Sequence, residues 1–189
     1  MKIFPGQMRE ARQIGRTESV ILFVVGSQVF AISASSIQEI RSIDSLSGVL
    51  QEVSQDKIDK VRHSLRRSGE NHYIVNSCKH FGLPTSRPTL VLVLRGARVA
   101  VLADKIERMD TISLLLSLPR AFRGQERAWY RGLTLIDDEV VPVVRVSGFL
   151  TEKELSYLDR MFSAAASTKS GPASARNGSA EDTAGAVSP

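Results

Sequence analysis

Cysteine is almost absent from this 189-residue chain: Cys78 is its only one. A lone thiol excludes an internal disulfide and suits a reducing compartment. Tryptophan also occurs once, and aromatic residues amount to 6%, a thin supply of the stacking platforms that hold single-stranded nucleic acid. No window of 18 consecutive apolar residues occurs, so no segment reads as a membrane-spanning helix. The opening, MKIFPGQMREARQIGR, lacks the apolar core of a secretory signal. A cytoplasmic protein with no direct membrane insertion is expected.

The motifs of common chemistry are missing too. There is no GxxxxGK[ST], GxGxxG, GxSxG or HExxH. His63, His72 and His80 lie near Cys78, but their spacing matches no zinc pattern and no second cysteine completes one. Cys78 has no identifiable base to activate it. Asp137-Asp138 stands between two β-rich runs and reads as a turn, not as a catalytic carboxylate pair. No catalytic site, metal site or cofactor is expected, and the chain does not read as an enzyme.

What is present is a positive balance, net +5. It is local. Lys2, Arg9, Arg12 and Arg16 against Glu10 give residues 1–16 a net +3, and Lys57, Lys60, Arg62, Arg66 and Arg67 against Asp59 give residues 57–67 a net +4. The remainder is slightly acidic. A run of this kind is ordinarily a solvated face. Nucleic-acid binding through Lys57–Arg67 is the competing reading, and Arg123, Arg127 and Arg131 near Trp129 and Tyr130 are its only other support.

Residues 163–189 are dominated by Ala, Ser and Gly, with Val187 the only branched apolar residue. Such a segment buries too little to offset its ordering entropy, so a disordered tail is expected there. Residues 1–17 lack periodicity and read as a flexible arm on which Ile3, Phe4 and Ile14 could dock. The folded part is then residues 18–162.

Within it, the chain repeats itself at an offset of 69. Ile21, Phe23 and Val25 map onto Leu90, Leu92 and Leu94; Phe30, Ala31 and Ile32 onto Val99, Ala100 and Val101. Ile37 and Ile40 map onto Ile106 and Met109, Tyr73–Val75 onto Pro142–Val144, and Phe81 onto Leu150. Two copies suggest two similar subdomains, not a solenoid. Ile21–Val25 with Val29–Ser33, and Leu90–Leu94 with Arg98–Leu102, read as hairpins. Short helical turns are expected at Ser35–Ile40 and at Asp104–Met109, the latter with Asp104 as N-cap. Gly132–Ile136 and Val140–Val146 form a further hairpin, in which Pro142 argues for an edge or a bulge. Many short strands suggest small barrels, which close their edges. Thr151-Glu152-Lys153-Glu154 is a capping box, with Leu150 and Leu155 as its hydrophobic staple, opening a helix over 151–162. A second helix is expected at Gln55–Arg67, capped by Ser54, with Ile58, Val61 and Leu65 on one face.

These stretches resemble a known family in their order and spacing. VILFVVGSQVFAISASSIQEIRSI is similar to the opening of a CheW-like domain, the chemotaxis coupling family. YIVNSCKHFGLP, TLVLVLRGARVAVLADKIERM and WYRGLTLIDDEVVPVVRVSGFLT resemble its middle, second-half and closing segments. The resemblance implies a mainly β fold of two five-stranded barrels, the first over about 18–87 and the second over about 88–150. It implies a non-enzymatic adaptor that joins the cytoplasmic tip of a chemoreceptor to the regulatory domain of a CheA-type histidine kinase, at membrane-associated receptor arrays. A related scaffold in a non-chemotactic pathway such as surface motility is the alternative. By position, Ile37, Glu39, Ala100, Ile106 and Met109 match receptor-facing sites. The family's Asn-Leu-Arg-Gly reads Arg66-Arg67-Ser68-Gly69 here, so the receptor-contact region Arg67, Ser68, Gly69 has diverged, and His63 stands where a Gly is common.

Overall fold

The computed structural model describes residues 11–53 and 57–168, with side-chain environments from residue 17 to residue 163. Among the described residues, eleven strands form two sheets. Strands β1 (Ala11–Val25), β2 (Gln28–Ser33), β9 (Lys105–Leu116), β10 (Tyr130–Ile136) and β11 (Glu139–Val144) close into a barrel in the order β1-β2-β11-β10-β9. Strands β3 (Ile37–Ser42), β4 (Leu50–Glu52), β5 (Val61–Arg67), β6 (Glu70–Val75), β7 (Leu90–Leu94) and β8 (Val99–Ala103) form a six-stranded sheet in the order β3-β7-β8-β6-β5-β4. The described residues also contain two α-helices, α1 (Ser77–Phe81) and α2 (Glu152–Thr168).

The offset of 69 survives at the level of whole strands. Adding it to β5 gives β10, and adding it to β6 gives β11. The hairpin β1–β2 corresponds to β7–β8, and Ile37–Ser42 falls within β9. Even the register is shared: the parallel pair Val143↔Ala31 in the barrel has its counterpart in Ile74↔Ala100. The copies do not, however, fold side by side. The barrel takes its hairpin from the first copy and β9–β11 from the second, and the other sheet takes its hairpin from the second copy and β3, β5 and β6 from the first. The expected division at residues 87/88 therefore does not follow the sheets. Strand β1 finds its partner far downstream in β9, with Ile21 opposite Met109.

Burial explains the continuous apolar runs. On β1, Val20 and Leu22 point into the barrel, while Phe23 and Val25 point into a larger core between the sheets. On β7, Val91 and Val93 line a third core, and Leu92 and Leu94 face the shared one. Strands covered on both sides lose the alternation of polar and apolar residues. Each fully buried aliphatic or aromatic side chain contributes about 1.5–3 kcal/mol.

Several local expectations change. Ala11–Thr17 belong to β1, so the arm shortens; residues 1–10, and with them Ile3 and Phe4, lie outside the described residues. The segment expected as helix Gln55–Arg67 contains β5 instead, and its cap Ser54 lies outside the described residues. A register shift between Val61 and His63 puts Val61 in the shared core and Leu65 in the third, so two residues four apart mimic one helical face. Ser35–Ile40 is a short 3-10 turn, Ala34–Ser36, running into β3, and Asp104–Met109 leads straight into β9. Asp104 caps nothing: its carboxylate accepts from the Gly26 N–H and the Ser86 hydroxyl, both at 2.6 Å, and so ties down the β1–β2 turn. Pro142 lies at neither an edge nor a bulge but in register with Leu133 inside the barrel.

Other expectations hold. Asp137 and Asp138 both have positive φ, 51° and 62°, and form the tight β10–β11 turn. The capping box is complete: the Thr151 N–H donates to Glu154 Oε2 at 2.7 Å and the Glu154 N–H donates to Thr151 Oγ1 at 3.2 Å. Helix α2 runs on to Thr168, past the expected end at residue 162; residues 169–189 lie outside the described residues.

Candidate functional site

No constellation for chemistry assembles where the sequence might have offered one. Among the described residues no group of three His, Cys, Asp or Glu is placed to hold a metal ion. Cys78 is buried with its sulfur 3.1 Å from the Ser86 hydroxyl. His80, also buried, packs against Trp129, Phe81 and Phe149 with ring centroids 4.5–5.1 Å apart. Burial and the nearby Lys60 ammonium push its pKa down to about 3, so the ring is neutral and packs as an aromatic. His72 is buried on β6, and its pKa falls for the same first reason, burial. His63 is exposed on β5.

The receptor-facing candidates separate into three environments. Ala100 is fully buried in the third core, where it is the counterpart of Ala31, and is out of reach of any partner. Ile37 is 8% exposed and belongs to the shared core; Ile106 packs at that core's margin. Met109 is different. It is 67% exposed on β9. Its counterpart Ile40 is 40% exposed on β3, so the repeat presents one open apolar side chain on each sheet. Ile40 was not among the expected sites, although the offset that pairs it with Met109 was legible.

Glu39 and Arg67, read separately from the sequence, come together. The Arg67 guanidinium donates to Glu39, and Arg41 Nε lies 3.5 Å from the same carboxylate. Strand β3 is at one end of the sheet order and β5 near the other, so this bridge shows that the sheet curls until its flanks touch. Arg67 is thereby held in the structure. Ser68 and Gly69 have φ of 50° and 85° and form the tight β5–β6 turn, at the same repeat position as Asp137-Asp138. Ser68 is thus a non-glycine residue in the left-handed region, which is uncommon outside tight turns.

The basic stretch is similarly engaged. Lys60 Nζ lies 2.8 Å from Glu154 Oε1, and Lys57 Nζ stands 5.3 Å above the Tyr157 ring. Together with Arg67 these contacts remove much of the free charge that the nucleic-acid reading needs. Helix α2 is also fixed from the sheet side. Arg98 donates twice to Asp159, at 2.8 and 2.7 Å, and the Tyr73 hydroxyl donates to it at 2.8 Å. The guanidinium holds the Asp159 carboxyl below its ordinary pKa, and burial raises that of Tyr73. On the barrel, Arg131 makes a two-pronged pair with Glu18 at 2.6 and 2.9 Å.

What this geometry provides is a rigid double-sheet frame with a few open apolar side chains. The CheW-like domain family matches residues 19–154, which takes in both sheets and the start of α2. The chain belongs to the CheW-like domain family. Among solved structures it is similar to the scaffolding protein TtCheW from Thermoanaerobacter tengcongensis, with a TM-score of 0.60 at 10% identity, over 76% of this chain and 95% of that one. At that identity the likeness shows the fold. No curated protein gives a significant match. No helix among the described residues is long and apolar enough to cross a membrane.

Proposed function

We propose that this CheW-like chain is a non-enzymatic adaptor that couples a chemoreceptor to a CheA-type histidine kinase on the cytoplasmic side of receptor arrays. The observation that carries the reading is the family match over residues 19–154 on an intact two-sheet frame. Exposed apolar residues on such a frame suit docking, and no acid–base pair is needed. Met109 is the contact the geometry favours, with Ile106 on the same strand; Glu39 stands beside Ile40 on the other sheet. Ile37 and Ala100 act by packing. Ser68 and Gly69 shape the turn at the diverged position, and that divergence is the one observation favouring a partner from a non-chemotactic pathway.

Calorimetry tests the proposal. The full chain should bind a CheA-type regulatory domain and a receptor cytoplasmic fragment. No heat from folded protein at concentrations on the order of tens of micromolar would overturn it. Met109→Asp should weaken receptor binding with the melting temperature unchanged, while Ile37→Asp should unfold the protein by burying a charge.

A further inference from the structure

We infer that the loop joining β9 to β10, residues 117–129, is a second interaction surface, one that takes a carboxylate-rich segment of a partner protein. The inference does not depend on the adaptor reading. Five arginines among the described residues are held in ion pairs: Arg41 and Arg67 with Glu39, Arg98 with Asp159, Arg108 with Asp110 and Asp137, Arg131 with Glu18. Arg120, Arg123 and Arg127 are not. All three are exposed, they share one short loop, and no ion pair is found for them among the described residues. The loop's one acid is Glu126.

The loop is held in shape, so the three charges are presented rather than trailing. Phe122 sits edge-on to Tyr130 with centroids 5.9 Å apart, and a 3-10 turn spans Gly124–Ala128. Trp129 packs 4.5 Å from His80, and its carbonyl accepts from the Arg145 N–H at 2.8 Å. Gly148 lets the loop's end come close: a Cβ there would stand 2.7 Å from the Trp129 Cα. Strand β1 begins at the same end of the barrel, with Ala11 opposite Leu116.

The chemistry selects carboxylates. Guanidinium forks match them in two-pronged pairs, as Arg98 and Arg131 already do within this chain. Stacking on nucleic-acid bases needs open aromatic faces, and Phe122 and Trp129 are partly buried in the aromatic cluster. Insertion into lipid needs exposed large apolar side chains, and none of those found lies on this loop.

Trp129, the chain's only tryptophan, closes the 3-10 turn and reports on the loop. Its fluorescence should change on titration with poly-L-glutamate, and the response should weaken as salt rises. Arg120→Glu/Arg123→Glu/Arg127→Glu should reduce the affinity by about tenfold or more, whereas Arg66→Glu/Arg87→Glu/Arg160→Glu, an equal charge change elsewhere, should keep it within about twofold. Should the first triple fail to fold, Arg120→Gln/Arg123→Gln/Arg127→Gln replaces it with the same expectation. Equal losses in both triples, no binding at all, or tighter binding to oligo-dT or to phosphatidylglycerol vesicles than to poly-L-glutamate would overturn the inference.

Discussion

Gly132→Ala should cost this protein about 2–3 kcal/mol. Gly132 lies on β10, and a Cβ there would fall well inside van der Waals distance of the Leu116 carbonyl oxygen and 2.9 Å from Leu115 Cγ. The obstacle is strand backbone, which cannot rotate away. To admit the methyl, β9 and β10 must separate at their registered pair, Leu133↔Leu116, and strain the 2.9 Å bond from Thr134 Oγ1 to the Leu114 carbonyl. Overpacking of this kind costs about 1–3 kcal/mol, and the hydrogen bond is worth about 1 kcal/mol. The stiffer unfolded chain returns about 0.4–1 kcal/mol. For a domain this size each kcal/mol lowers the melting temperature by about 2–4 °C, so a drop of roughly 5–10 °C is expected. His63 occupies the same repeat position in the other sheet. It is exposed, in register with Glu52 of the short strand β4, so His63→Ala should leave the melting temperature within about 2 °C. Thermal unfolding followed by circular dichroism measures both. If Gly132→Ala melts with the wild type, or His63→Ala falls as far, the close approach of β9 to β10 is not what requires glycine.

The other predictions concern charge. Asp159→Ala should cost about 1–2 kcal/mol by releasing Arg98 and leaving the Tyr73 hydroxyl without its acceptor. Denaturant unfolding should show that Tyr73→Phe adds little on top of it, because the two act through one contact; full additivity would refute the shared clamp. His80 gives a pH dependence. Its folded pKa, about 3, lies below its unfolded value of about 6.5, so the unfolded state takes up the proton first and stability falls as pH drops below 6.5. At pH 5 the loss is about 2 kcal/mol, with His72 acting in the same direction. Glu18, Glu154 and Asp159, whose pKa values are lowered, lose their contributions only at more acid pH. Urea unfolding of His80→Phe should therefore show a flatter dependence between pH 6.5 and 5. An unchanged slope would refute the assignment to His80.

Much of this fold could be read from residues alone, wherever a signal was local and chemical. The Thr151–Glu154 box and the Asp137-Asp138 turn are contacts between residues at most three apart, and their side chains admit few alternatives. The repeat was legible because the core positions of the paired hairpins recur at the same distance, as Phe23 and Val25 do in Leu92 and Leu94. What failed was whatever depended on a partner strand. Lys57–Arg67 carries apolar residues at 58, 61 and 65, the spacing of a helical face; only the bulge beside Arg62 and the pairing to β4 and β6 make it a strand. Ala100 and Ile37 look like candidates by position, but their burial is set by sheets assembled from distant segments. Glu39 and Arg67 are 28 residues apart, and nothing in either's neighbourhood announces the other.

The exchange of hairpins accounts for both the success and the failure. A duplication that had folded copy by copy would have matched the linear reading at residue 87. Here each sheet lacks two strands until the other copy supplies them, so neither half holds a complete core of its own. Phe23 and Val25 of one hairpin meet Leu92 and Leu94 of the other in a single shared cluster. Loosening either sheet thus exposes the seam of both. For a scaffold this coupling matters. Met109 and Ile40 sit on opposite sheets at equivalent positions, and their separation is fixed by that seam rather than by a linker. A partner that engages both side chains meets a preformed spacing and avoids the ordering cost that two independently tethered domains would impose.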